Sequence, residues 1–98
     1  MEKTTECKYG TKTLNMTITD RNEWTSGNNS RTYLDITDTD KMFEVKSIYI
    51  DDSNTTELAA YDHEIETDSG RVIIECRDKM SGKKFDELKF AMYDLLDN

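Results

Sequence analysis

Residues 61–76 read YDHEIETDSGRVIIEC, and this stretch predicts a β-hairpin. Apolar or aromatic side chains alternate with polar ones before and after the polar residues 67–70, at Tyr61, His63 and Ile65 and then at Val72, Ile74 and Cys76. Such alternation is typical of strands with one buried face, and a polar segment ending in glycine favours a turn. Pairing Glu66 with Arg71 sets opposite charges side by side and places Ile65 opposite Val72, His63 opposite Ile74 and Tyr61 opposite Cys76. The hairpin therefore predicts one apolar face that must be covered.

Three alternating segments precede the hairpin and predict further strands. Their regularly spaced positions are Leu14, Met16 and Ile18; Thr32, Leu34 and Ile36; and Phe43, Val45, Ile48 and Ile50. In the third segment the alternation shifts by one residue after Lys46, which favours a β-bulge there over a strand buried on both faces. Residues 55–60 are compatible with either one helical turn or a strand edge.

The C-terminal residues 83–97 predict an amphipathic helix. Their apolar side chains recur at steps of three and four residues, at Phe85, Leu88, Met92, Leu95 and Leu96. Strands followed by a helix, without βαβ alternation, favour an α+β fold: an antiparallel sheet of four to five strands with the helix packed on one face. The length of residues 1–98 fits a single domain, and residues 1–10, which lack a periodic pattern, are expected to fray.

The composition is strongly acidic. Twenty-one Asp and Glu oppose thirteen Lys and Arg, giving a formal net charge of −8. This charge disfavours direct binding to nucleic acid or to an anionic membrane and leaves basic protein surfaces as suitable partners, although the same charge also serves solubility alone. The N-terminal residues carry no signal-peptide pattern, so a cytoplasmic location is expected.

No residue pattern predicts catalysis, a metal site or a bound cofactor. His63 follows the apolar alternation of its strand and is expected to pack in the core, with a cryptic active site around it as a minor alternative. Cys7, Cys76 and His63 lack the close paired spacing of a zinc site, and the acidic segments lack the glycine of a calcium loop. The two cysteines are expected to be free thiols, with a disulfide between them as the alternative.

A row of carboxylates gives the clearest candidate site. Asp62, Glu64 and Glu66 would share one face of a strand at intervals of about 6.8 Å, a spacing comparable to that of phosphates along a nucleic-acid strand. The predicted register places Glu75 opposite Asp62, and Asp51 and Asp52 extend the patch at one end. Trp24, inside the polar segment 21–30, is a candidate anchor for a partner, although packing against the core is the commoner role of such a residue.

These features favour a non-catalytic binding protein. The hypothesis is an inhibitor that masks the basic surface of a nucleic-acid-handling enzyme by nucleic-acid mimicry, as phage anti-defence proteins, anti-CRISPR-like inhibitors and immunity proteins do. The alternative is a small structural subunit that forms homo-oligomers through its sheet edges.

Overall fold

The computed structural model describes residues 3–18, 23–26, 29–38 and 44–97 and has the predicted α+β fold. Its strands are β1 Lys3–Tyr9, β2 Lys12–Ile18, β3 Glu23–Ser26, β4 Asn29–Tyr33, β5 Asp35–Asp38, β6 Val45–Asp51, β7 His63–Thr67 and β8 Gly70–Cys76, followed by the helix α1 Gly82–Leu96. All strand pairs are antiparallel. Among the helices in the described ranges, none is both long and apolar enough to cross a lipid bilayer.

The strands form two sheets, where the sequence predicted one of four to five strands. One sheet has the order β1-β2-β5, and the other has the order β3-β4-β6-β8-β7. The chain changes sheets at Leu34, which separates β4 from β5 and donates its backbone N–H to the carbonyl of Ile48. Thr32 and Leu34 are buried and Ile36 packs against the same core. The alternation of inward-facing residues therefore continues from β4 into β5. These strands belong to different sheets, but both face the same core.

The N-terminal segment, expected to fray, contains β1. This strand pairs along its whole length with β2, with Cys7 opposite Leu14, and both of these side chains are buried. Gly10 lies in the connecting turn at a φ of 63°, a backbone conformation that glycine adopts without steric cost. Because Cys7 is the main apolar contribution of β1 to the core, the strand shows no alternating pattern in the sequence.

The predicted hairpin is β7–β8, and its predicted register is confirmed. Glu66 pairs with Arg71, and Ile65 and His63 lie opposite Val72 and Ile74. However, β7 begins only at His63, so the expected pairing of Tyr61 with Cys76 is not formed. The chain before His63 instead forms a turn, in which the backbone N–H of Asp62 donates to the carbonyl of Ala59.

The predicted bulge in β6 is also confirmed. The pairing of β6 with β8 shifts between Val45 and Ser47, where Lys46 is exposed while Val45 is buried. The extra residue allows Val45 and Ile48 to face the same interior although they are three positions apart.

The core lies between the five-stranded sheet and a second layer made of α1 and the three-stranded sheet. The helix begins after Ser81, whose hydroxyl accepts a hydrogen bond from the N–H of Lys84. It contacts β1 and β7. Its buried residues are Leu88, Ala91, Met92 and Leu95, and they join one apolar cluster with the inward residues of both sheets. The predicted amphipathic helix is thus confirmed.

Candidate functional site

The five-stranded sheet has a second face, directed away from α1, that we call the outer face. Tyr49 of β6 pairs with Ile73 of β8, and Ile73 pairs with Glu64 of β7. Directly paired residues of an antiparallel sheet point to the same side. The same side carries Arg71, which pairs with Glu66. The outer face therefore combines apolar and charged side chains.

The connection between β6 and β7 lies across this outer face. Tyr49 and Ile73 are only 1% and 0% exposed, yet neither belongs to the apolar cluster packed against α1. The guanidinium of Arg71 donates to the carbonyl oxygen of Thr56 at 2.7 Å, which fixes the connection above the sheet. Residues 55–60, for which the sequence left helix and strand open, form neither.

An ion pair between Arg71 and the buried carboxylate of Asp51 holds the connection in place. Nη1 of Arg71 lies 3.0 Å from Oδ2 of Asp51, and Nη2 lies 2.7 Å from Oε2 of Glu64. The Asp51 side chain is 0% exposed and also accepts hydrogen bonds from the Thr56 N–H at 2.9 Å and the Ser53 hydroxyl at 3.1 Å. Asp51, predicted to contact a partner, is therefore enclosed and bonded within the chain.

Two carboxylates of this network are held in the ionised form. Burial disfavours the charge of Asp51, but the hydrogen bonds from Thr56, Ser53 and Arg71 outweigh it, so the pKa of Asp51 is lowered. The hydrogen bond from Arg71 is the main reason why the pKa of Glu64 is lowered as well. Both groups favour the folded state while they are charged.

We expect the stability to fall in acid through these two groups. A carboxylate with a lowered folded-state pKa stabilises the fold above its unfolded pKa of about 4, and this contribution is lost as the pH falls from about 5 toward the folded value. The free energy of unfolding, measured by urea titration between pH 7 and pH 3, should decrease in this window. Asp51→Asn should flatten that decrease. An unchanged pH dependence in a folded Asp51→Asn variant would contradict the role of Asp51.

The predicted carboxylate row is shorter in the structure. Glu64 and Glu66 both occupy outer-face positions of β7. Asp62 precedes the strand, and its Oδ2 accepts the N–H of Ala59 at 2.8 Å. Glu75 pairs with Ser47 of β6 and accepts a hydrogen bond from its hydroxyl, and its expected pairing with Asp62 is not formed because β7 begins after Asp62. The row is thus reduced to two strand positions with Asp62 in the adjoining turn.

The remaining predicted site residues lie elsewhere. Asp52 is exposed, but its Oδ2 accepts the hydroxyl of Thr32 at 2.6 Å, and Thr32 is paired with Ile50, a residue of the inner core. Asp52 is therefore directed to the opposite side from Asp51. Trp24 lies in β3, opposite Arg31, rather than in a loop. The Trp24 side chain lies outside what the structure describes, so its anchoring role stays a prediction.

One exposed feature was not predicted. Residues 57–62, with the sequence ELAAYD, lie outside the strands and the helix and turn at Ala60 and Tyr61; we call them the 57–62 loop. Leu58 and Tyr61 in it are each 46% exposed. For Leu58 a sequence signal was available, because it matches neither the strand nor the helix period and no glycine or proline lies nearby. Tyr61 follows the alternation of the predicted hairpin, but β7 begins only at His63.

The imidazole of His63 and the thiols of Cys7 and Cys76 are packed against other parts of the chain. The ring of His63 stacks on Phe85 with 4.8 Å between ring centroids. Cys7 and Cys76 are both buried, no disulfide joins them, and burial raises the pKa of Cys76 to about 11. Within the described parts of the chain, no group of three or more His, Cys, Asp or Glu side chains is arranged to hold a metal ion.

Comparison with known proteins gives no relative from which a function could be transferred. No protein-family model, no curated protein and no solved structure matches this chain significantly.

Proposed function

We propose that this chain is a non-catalytic acidic binding protein that masks a basic surface of a nucleic-acid-handling enzyme. The observation that carries the proposal is the pair Glu64 and Glu66 on the outer face of β7, which is an edge strand of the five-stranded sheet. A partner can approach the edge without separating any strands. The net charge of −8 would attract a basic surface and speed its association.

The surroundings of this pair support a defined charge pattern. Arg71 holds the Glu64 carboxylate through two nitrogens, Nε at 2.9 Å and Nη2 at 2.7 Å. A fixed carboxylate loses less side-chain entropy on binding than a mobile one. Glu66 is exposed two residues further on, at a spacing of about 6.8 Å along the strand. Glu57 adds an exposed carboxylate in the 57–62 loop. Glu64 and Glu66 thus support imitation of two neighbouring phosphates, and Glu57 adds negative charge from the loop.

The test is inhibition of nucleic-acid binding across a panel of purified nucleases and other nucleic-acid enzymes. We expect the wild-type chain to compete with nucleic acid for at least one of them. The double variant Glu57→Lys with Glu66→Lys should bind that enzyme at least about tenfold more weakly, because close charge pairs across an interface become repulsive. Glu64 is left unchanged because its loss would also disturb Arg71.

The matched control is Asp86→Lys with Glu87→Lys, two exposed carboxylates on α1. It changes the net charge equally, so a general electrostatic effect would weaken both variants alike. Equal losses in the two variants, or an affinity independent of ionic strength, would contradict binding through the outer face.

Sheet-edge assembly is the second candidate, and the position of β7 as an edge strand favours it. The charges oppose it, because two copies joined along β7 would bring Glu64 and Glu66 close to the same residues of the other copy. Sedimentation at low and high salt separates the two functions. A monomer at both salt concentrations supports the inhibitor, and a dimer insensitive to salt supports assembly.

A further inference from the structure

The 57–62 loop exposes apolar side chains from a backbone that is held on both sides. The carbonyl of Thr56, directly before the loop, accepts from Arg71, and the Thr56 N–H donates to the buried Asp51. At the other end, Ala59 and Asp62 exchange two hydrogen bonds, at 3.1 Å to the Ala59 carbonyl and at 2.8 Å to the Asp62 carboxylate. The loop is therefore ordered by contacts within the chain, without a bound partner.

Exposed apolar side chains on an ordered loop suit a binding role. Leu58 and Tyr61 leave nearly half of their surface in water. Tyrosine offers a large contact area with few rotatable bonds and is common among the residues that dominate interface affinity. A loop that is already ordered also avoids most of the entropy cost of becoming ordered on binding. Asp51 and Arg71 hold the backbone at Thr56, directly before the segment that carries these two side chains.

The charges around the loop indicate which kind of partner would bind there. Glu57 begins the loop, Asp62 ends it, and Glu64 follows on the outer face. A second copy of this acidic chain would bring like charges together. A surface with Lys and Arg around an aliphatic or aromatic side chain complements both the carboxylates and the apolar contacts, and an arginine can also stack on the Tyr61 ring.

We infer that the 57–62 loop is the anchor with which this protein docks on a basic protein surface. Leu58 and Tyr61 contact an apolar side chain of the partner that is surrounded by the partner's Lys and Arg residues. The inference rests on the proposed function and adds which residues supply affinity beyond charge. Phe90 is a rival anchor, since it is 67% exposed on α1. It is a single side chain on a helix surface, and isolated exposed apolar residues are common.

Two synthetic peptides test the anchor directly. One is a ten-residue lysine and arginine peptide with a central phenylalanine, and the other has alanine at that central position. We expect the phenylalanine peptide to bind the full chain about tenfold more tightly, as burial of an aromatic ring allows. Amide chemical shifts in an NMR titration should move mainly in the 57–62 loop and in β7.

Variants of the chain then show which residues are responsible for the preference for the phenylalanine peptide. Leu58→Ser with Tyr61→Ser should remove the preference for phenylalanine, whereas Phe90→Ser should keep it. All three positions are exposed, so each variant should melt close to the wild-type temperature. Loss of the preference in Phe90→Ser, or its persistence in the loop variant, would overturn the inference.

The remaining outcomes separate this inference from the proposed function. Equal binding of the two peptides, weakened by Glu57→Lys with Glu66→Lys, overturns the anchor and leaves the basic-surface function standing. Absence of binding by both peptides at millimolar concentration also overturns the anchor. In that case the enzyme panel decides the proposed function independently.

Discussion

Replacement of Arg71 by methionine is expected to lower the free energy of unfolding by about 3–5 kcal/mol, because it leaves a buried carboxylate without its cation. The Asp51 side chain is 0% exposed, and Arg71 Nη1 lies 3.0 Å from it. Methionine retains much of the aliphatic length of arginine, so the loss reports on the charge rather than on packing. The carbonyl of Thr56 loses its donor in the same variant.

Urea denaturation at pH 7 measures this loss. Lys46→Met is the matched control, since Lys46 is exposed in the bulge of β6 and its replacement should change the stability by no more than about 0.5 kcal/mol. The double variant Asp51→Asn with Arg71→Met removes both charges. It should be more stable than Arg71→Met alone, and the difference from additivity measures the coupling of the pair.

A loss below about 1 kcal/mol in Arg71→Met would show that Asp51 does not depend on its cation. Hydrogen exchange gives a second reading. The Thr56 amide, which donates to Asp51 at 2.9 Å, should exchange faster in the variant, and so should amides of the 57–62 loop. Unchanged exchange would mean that the loop is held by other contacts.

The local elements of the fold could be predicted because their signals lie within a few residues of one another. The register of β7 and β8 follows from the turn at residues 67–70 and from the charges of Glu66 and Arg71. The stripe of α1 follows from a period of 3.6 residues. The bulge in β6 follows from one displaced apolar position at Lys46. None of these features depends on a distant partner.

The division into two sheets could not be predicted in this way. Alternating apolar and polar residues indicate which face of a strand is buried, but they do not indicate which other element covers that face. For this reason Thr32 and Ile36 gave one continuous pattern although β4 pairs with β6 and β5 pairs with β2. β1 presents too few apolar residues to give a pattern at all. Its position depends on pairing with β2 and contact with α1.

The sequence also indicated that the outer face is covered, but the alternating pattern of apolar residues made this indication easy to overlook. Residues 48–50 read IYI and residues 72–74 read VII, continuous apolar runs that indicate burial on both faces. The structure buries Tyr49 and Ile73 beneath the connection between β6 and β7. Asp51, at the end of the first run, therefore becomes an internal ion-pair partner. In the sequence it resembled the exposed acidic residue beside it.

The other large effect is expected at the helix, where Leu88→Ala should lower the free energy of unfolding by about 2–5 kcal/mol. Leu88 is 0% exposed in the cluster between α1 and the sheets. The substitution removes buried apolar surface and leaves a cavity. Alanine is itself a good helix former, so the loss reports on packing and not on helix propensity. Because such a domain has a total stability of only about 5–15 kcal/mol, the melting temperature should fall clearly.

Phe90→Ala is the matched control for this prediction, two residues further along the same helix. Phe90 is 67% exposed, so its truncation should change the stability by no more than about 0.5 kcal/mol. Thermal and urea unfolding of the two variants under identical conditions compare the buried and exposed sides of α1. Equal effects would mean that α1 does not bury its apolar stripe against β1 and β7. A large loss of unfolding free energy in Leu88→Ala alone assigns the apolar stripe to the core. It also shows that Phe90, on the exposed side of α1, contributes little to the stability of the fold.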